Sequence, residues 1–179
     1  MDNVQRASSL REMTADDLDV VLAWRNHPDI RRFMYTQHEI KLEEHRAWFM
    51  RASVDTSKHL LIFQIDGAAQ GFVNITELGV PGVADWGFYM APEAGKGTGR
   101  ELGKAALDYA FKILDLHKIC GQALAYNERS IKFHLGMGFQ QEGVLRDQHY
   151  DGENYHSVIC FGLLSAEWQP KESQSYAKS

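Results

Sequence analysis

Three glycines at alternating positions, Gly95, Gly97 and Gly99, lie within APEAGKGTGRELGKAALDYAFKIL. They precede a run whose apolar residues Leu102, Ala105, Ala106, Tyr109, Ala110 and Ile113 recur at intervals of three and four, the pattern of an amphipathic helix. A glycine-rich loop feeding a helix N-terminus is an anion site. The first amides of the helix lack an intrahelical partner, the helix dipole favours negative charge there, and glycines let a phosphate approach the backbone. Lys96 and Arg100 add positive charge at the same point, with Thr98 between them. Phosphate binding is the chemistry this spacing offers, and a plain tight turn is the other reading. No Gly-Lys-Ser/Thr follows at the spacing of a Walker A loop. A dinucleotide fingerprint would follow the first strand of a parallel unit, whereas the strands before this loop read as antiparallel.

The elements that must position this loop are legible from patterning. SLREM (8–12) alternates as a first strand, and Thr14 is placed to cap a helix from Ala15 with Leu18, Val21 and Leu22 on one face. Pro28 ends that helix, a short one follows over 30–33, and another runs from about Leu42 to Ser53 with Trp48, Phe49 and Ala52 inward. Apolar runs at 60–65, 71–75 and 84–90 are separated by Asp66-Gly67 and Pro81-Gly82, which predicts three antiparallel strands. Beyond the glycine loop and its helix come a strand over 117–125 and a helix capped by Asn127 that ends at Gly136 or Gly138. Two last strands, 139–147 and 155–164, are joined through Asp151-Gly152. VICFGLL (158–164) is apolar on both faces and is expected inside the sheet.

Composition bounds the rest. With 179 residues, 44% hydrophobic and 24% charged, the chain is expected to fold as one domain over 1–168, with a polar, disordered tail over 169–179. A net charge of −5 and the lack of any basic run argue against nucleic acid as the main partner. No apolar stretch reaches the roughly 18 residues of a membrane span. The first residues lack the apolar core of a secretory signal, so a cytoplasmic address is expected. Cys120 and Cys160 are expected as buried free thiols, there is no CxxC pair, and His27, His38, His45 and His59 are too scattered for a metal site.

AGKGTGRELGKAAL resembles the acetyl-CoA loop of the GCN5-related N-acetyltransferases, whose pattern is Q/R-x-x-G-x-G/A, with Gly97 and Gly99 on its glycines and Ala94 where Gln or Arg is common. NERSIKFHLGMGF resembles the family's second motif, N-x-x-A-x-x-x-Y-x-x-x-G-F, through Asn127, Ser130, Gly138 and Phe139. The order of elements agrees over about residues 8–165. The resemblance implies an α/β (α+β) fold: a mixed, mostly antiparallel seven-stranded sheet flanked by helices and splayed between its fourth and fifth strands. Acetyl-CoA would lie in that V. Its pyrophosphate would rest on the backbone of Gly95, Lys96, Gly97, Thr98, Gly99 and Arg100. Its pantetheine would run beside Phe88, Tyr89 and Met90, with Asn127 as hydrogen-bond partner and Phe133 alongside. Phe88 as core and Asn127 as a simple cap remain open readings of the same residues.

An amine must be neutral to attack a thioester, so a base takes its proton and an acid meets the departing thiolate. The family's usual acid is a Tyr in the second motif; His134 stands at that place and titrates near neutrality. Glu77 and Asp85, at strand ends, are the candidate bases. No cysteine is placed as an acyl carrier, so direct attack in a ternary complex is expected.

For the acceptor, WRNHPDIRRFMYTQHEIKLEEHRAWF (24–49) is similar to the aminosugar N-acetyltransferases of pseudaminic acid synthesis. That similarity implies transfer to the 4-amino group of a UDP-4-amino-4,6-dideoxy-N-acetyl-β-L-altrosamine, in the making of a flagellin glycan. Arg25, Arg31 and Arg32 would meet the diphosphate, since guanidinium forks match phosphate oxygens, although a helix would aim the adjacent Arg31 and Arg32 differently. His27, Met34, Tyr35, His45, Trp48 and Phe49 would line the base and sugar. Trp48 and Phe49 read equally as core, Arg25 as a partner of Asp29 or Glu44, and His27 as a helix cap. Acetylation of a protein N-terminus or a polyamine is the alternative activity, and an idle acetyl-CoA-binding module the alternative of another class. A homodimer is a family-level expectation.

Overall fold

A computed structural model describes residues 6–168, so the tail expected over 169–179 lies outside the described residues. Seven strands form one sheet: β1 (Ser8–Glu12), β2 (Lys58–Ile65), β3 (Ala68–Glu77), β4 (Val83–Met90), β5 (Lys118–Leu124), β6 (Gln140–Tyr150) and β7 (Tyr155–Leu164). Their order is β1-β2-β3-β4-β5-β7-β6. Every neighbouring pair is antiparallel except β4 and β5. β7 is interior, as its two-faced apolarity requires.

Helices α1 (Leu18–Asn26), α2 (Pro28–Arg31) and α3 (Leu42–Ala52) cover one face of the sheet; α4 (Thr98–Asp108) and α5 (Glu128–Gly136) cover the other. Strand alternation feeds both cores. Leu61, Phe63, Val73, Ile75 and Trp86 pack beneath α4 and α5. Leu60, Ile62 and Phe72 pack with Val21, Trp24 and Ala52 from α1 and α3. Burying a side chain of this size contributes roughly 1.5–3 kcal/mol, so two filled faces hold the sheet between its helical layers.

The helix expected from Ala15 starts later. A single 3-10 turn spans Ala15–Asp17, and α1 begins at Leu18. The Asp17 carboxylate causes the delay: it takes two 2.7 Å bonds from Arg11 and one of 2.9 Å from the Thr14 amide, which winds the entry tightly. The helix expected to run unbroken from the glycine loop also changes. After Asp108 it continues as a π turn over Tyr109–Ile113, closed by Leu114 N–H donating to the Tyr109 carbonyl. The wider turn rotates the face, so Ile113, expected inward, is 69% exposed, and Phe111 is buried instead.

The parallel pair matters most. β4 and β5 share only the rungs Val83↔Lys118, Ala84↔Ile119 and Asp85↔Cys120. Beyond Asp85 the strands part. β4 stays paired with β3 as far as Met90, and β5 stays paired with β7 as far as Leu124. Each half of the sheet is therefore complete, and a V with unpaired backbone on both walls opens between them.

Candidate active site

The glycine loop sits beyond the open end of β4. Ala91 N–H donates to the Gln70 carbonyl (2.8 Å) and Ala94 N–H to the Ala91 carbonyl (3.0 Å), turning the chain off the sheet. Gly97 takes φ +87° and caps α4, with its carbonyl accepting from the amides of Arg100 (3.0 Å) and Glu101 (3.3 Å). A side chain there would cost roughly 1–2 kcal/mol in the left-handed region, so glycine is required. Thr98 is buried and anchors the helix start, whereas Gly95, Lys96, Gly97 and Arg100 are exposed. Among the described residues the amides of Gly95, Lys96, Gly97 and Gly99 have no backbone acceptor. The result is an outward-facing cradle of N–H groups with two cations beside it.

Along the V, Phe88 and Tyr89 point to opposite faces. Phe88 packs on Phe133 (4.8 Å between ring centres) and Trp86 (4.9 Å), and Tyr89 packs on Phe72 (5.2 Å). Both rings belong to core layers, which leaves the β4 backbone to face the gap. Met90 and Phe133 are half-buried. Asn127 does cap α5, its Oδ1 accepting from the Ser130 amide at 3.1 Å, and its Nδ2 has no partner among the described residues.

Two of the three acid–base candidates are displaced from those roles. His134 is 2% exposed. The Trp86 indole N–H donates to its Nε2 at 3.1 Å, and its Nδ1 lies 2.8 Å from the Ser130 carbonyl. Because an indole only donates, Nε2 must be the acceptor and Nδ1 carries the proton. Burial lowers the imidazole pKa, opposed by the Ser130 carbonyl. The ring is neutral, committed at both nitrogens and stacked on Phe161 (4.8 Å), so it holds no proton for a departing thiolate. Glu77 lies at the closed end of the V, on the α4 face with Ile75, and engages His59 Nε2 at 3.2 Å. It is remote from the open end.

Asp85 is different. It is the last β4 residue with a β5 partner, so it stands at the apex of the V. Alternation aims it at the α1–α3 face, which also carries Cys120, Gln122 and Cys160. Burial pushes its carboxyl up to about 6, opposed by the Trp86 backbone amide. A carboxylate tuned there is ionised at neutral pH and basic enough to take a proton. Cys120 and Cys160 are free thiols, their pKa values raised chiefly by burial.

On the same face the segment 32–41 crosses above β5. The Tyr35 hydroxyl donates to Gln122 Oε1 at 2.7 Å, Tyr126 donates to the Arg32 carbonyl at 3.0 Å, and Asn26 exchanges two 2.8 Å bonds with Ile40. Arg25 is half-buried. One guanidinium nitrogen donates to the Thr36 carbonyl at 2.8 Å; Nη1 is buried with no partner among the described residues. Burial lowers its pKa; beyond that, Tyr89 and Glu44 support its charge and Arg31 opposes it. Arg31 also reaches Glu39 at 3.9 Å, while Arg32 turns away to Asp29 and stacks on Phe33. Tyr35 is exposed and Met34 half-buried.

The remaining candidates are structural. His27 caps α2 by accepting from the Asp29 amide at 3.3 Å. His45 is 4% exposed, stacked on Trp48 at 5.1 Å, and burial lowers its pKa. Trp48 meets Phe72 at 6.0 Å, and Phe49 joins the same core. The core wins at these three because α3 presents them to the sheet. Gln122, Trp86 and His149 went unnoticed in the sequence, where each reads as an ordinary strand residue.

A family model described as the acetyltransferase (GNAT) domain matches residues 9–140. The chain belongs to the GNAT acetyltransferase family. It is 31% identical over 159 residues to the acetyltransferase PseH of Campylobacter jejuni, covering 87% of this chain and 92% of that protein. It is 26% identical over 161 residues to the spermidine N(1)-acetyltransferase of Escherichia coli, covering 89% and 87%. Among solved structures, the spermidine N-acetyltransferase from Vibrio cholerae, in complex with CoA and spermine, superposes with a TM-score of 0.83 at 24% identity, over 89% of this chain and 96% of that one. The splayed GNAT sheet expected from the two motifs is thus present, and the chain is an acetyl-CoA-dependent N-acetyltransferase. The residues present suit that donor: the exposed amide cradle matches a pyrophosphate, and the unpaired walls of the V offer backbone donors and acceptors to an amide-bearing arm. No helix of the described residues is long and apolar enough to cross a membrane.

Proposed function

We propose that residues 1–168 act as one domain that moves an acetyl group to the amino group of a nucleotide-linked amino sugar, the 4-amine of a UDP-4-amino-4,6-dideoxy-N-acetylhexosamine. The observation that carries this reading is the half-buried Arg25, with Nη1 unpartnered and Arg31 near enough to oppose its charge. Two neighbouring arginines, one with a guanidinium nitrogen left unpaired, call for an anion such as a diphosphate. A polyamine calls for several ionised carboxylates; at the apex Asp85 shares its face with Cys120, Gln122 and Cys160. The 31% identity to PseH favours the same reading, and the aminosugar pattern over 24–49 adds to it.

Acetyl-CoA supplies the acetyl group as an activated thioester. In this reading the amides of the 95–99 loop and the charges of Lys96 and Arg100 hold the pyrophosphate. Asn127 Nδ2 and the β4 backbone near Phe88–Met90 orient the arm. Arg25 and Arg31 hold the acceptor's diphosphate, and Tyr35 walls its sugar. Asp85 accepts the proton lost by the amine as it attacks. Neither cysteine is an acyl carrier here, because burial keeps both as thiols, so attack within a ternary complex is the simpler route.

Equilibrium binding tests the acceptor class. UDP should bind the wild-type chain, weaken with salt, and weaken further in Arg25→Gln, while spermine should bind poorly to both. Tight spermine binding with no affinity for UDP would remove the nucleotide-sugar reading.

A further inference from the structure

We infer that His149 is a specificity-determining residue for the acceptor, its Nε2 held for the ring hydroxyl or the acetamido group of the sugar; this rests on the amino-sugar reading above. His149 is 8% exposed, and its Nε2 is buried with no partner among the described residues. A buried imidazole nitrogen that has given up water and gained nothing is destabilising, and such groups are rare without a reason.

Its position supplies the reason. His149 faces His156 across the far end of β6 and β7, just past a register shift where Asp147 takes φ 50°. That irregularity brings the ring to the same face as Asp85 and Gln122. The Tyr35 ring stands edge-on to His149 at 5.4 Å, and the Tyr35 hydroxyl is bonded to Gln122. Gln122 lies on β5 just beyond Cys120, the last residue paired with β4. Gln122, Tyr35 and His149 therefore touch in series on the face that carries Asp85. His156, across the strands from His149, is already committed to Asp151. His149 is not.

The ligand chemistry follows from what an imidazole nitrogen can do. It either donates or accepts, depending on the tautomer. A hydroxyl satisfies either state, and an amide offers both an N–H and a carbonyl. A polyamine's ammonium groups only donate, so they pair with this nitrogen in one tautomer and not in the other. His149 with its proton on Nε2 thus favours the sugar, because a polyamine would leave that N–H unpaired.

The test uses the full chain with His149→Leu and His149→Gln, assayed with acetyl-CoA and UDP-4-amino-4,6-dideoxy-N-acetyl-β-L-altrosamine. Leucine should raise KM for the sugar about tenfold, the worth of one hydrogen bond. KM for acetyl-CoA should stay unchanged and the Tm should not fall, because leucine removes the unpaired nitrogen rather than creating one. Glutamine, which keeps a polar end, should recover most of the loss. An unchanged sugar KM in His149→Leu, or an acetyl-CoA KM rising in step with it, would overturn the inference. Failure of the wild-type chain to turn the sugar over would overturn the functional reading and this inference with it, and shows itself before any substitution is made.

Discussion

The indole N–H of Trp86 donates to Nε2 of His134 across 3.1 Å, just beyond the last rung between β4 and β5. The bond ties the β4 wall of the V to α5, where strand pairing has ended. It needs Gly121: a Cβ there would lie 2.6 Å from His134 Nε2 and 2.9 Å from Trp86 Nε1. His134 is therefore a structural brace between the two halves of the sheet, and its test is stability. His134→Ala should cost about 2–4 kcal/mol, combining a cavity with an orphaned indole N–H. Urea unfolding measures it. The alkaline limb of the rate profile should be unmoved. A lost limb with unaltered stability would return His134 to the role of acid.

The same pair carries a pH dependence. His134 has a folded pKa below its ordinary 6.5 because burial disfavours the cation. As pH falls through that ordinary value, the unfolded chain takes up a proton that the folded chain refuses. Stability is thus full above it and declines below it. Unfolding measured between about pH 7.5 and 5.5 should show a loss that is smaller in His134→Phe, which has nothing to protonate. Parallel curves for the two proteins would contradict the neutral, indole-bound ring.

In the proposed mechanism Asp85 sets the acid limb of catalysis. With its carboxyl pushed up to about 6, the base is in its active form above that pH and is lost below it. The profile of kcat/KM against pH should bend near that value. Asp85→Asn should lower kcat by roughly 10²–10⁴-fold, the usual worth of a general base, and remove the bend. A variant that keeps both rate and bend would show that another group takes the proton.

The cradle makes a separate prediction. Gly97→Ala forces a side chain into φ +87° at the cap of α4. The fold should lose about 1–2 kcal/mol, and KM for acetyl-CoA should rise while KM for the acceptor does not. Urea unfolding reads the first effect, isothermal titration with CoA reads the weakened binding, and paired steady-state assays separate the two substrates.

The sequence announced the cradle and the order of elements because both rest on local signals: three alternating glycines before an amphipathic helix, and caps at Thr14 and Asn127. What it hid depends on distant partners or on orientation. Alignment placed His134 on the second motif's helix but gave no sign that the ring turns toward Trp86, 48 residues earlier. Helical spacing marked His45, Trp48 and Phe49 without saying that the sheet would claim them. Ile113 fits an unbroken helix, and only the π turn moves it out. Gln122 and His149 gain meaning through Tyr35, brought to them by sheet register and the irregularity at Asp147.

The central claim is an anionic sugar acceptor held by Arg25 and deprotonated by Asp85. CoA thiol release from acetyl-CoA, measured side by side with a UDP-4-amino-4,6-dideoxy-N-acetylhexosamine and with spermidine, tests it most directly. Turnover with the nucleotide sugar, falling steeply in Arg25→Gln, and little with spermidine is the predicted result. Efficient turnover of spermidine that is indifferent to Arg25, with none of the sugar, would contradict it.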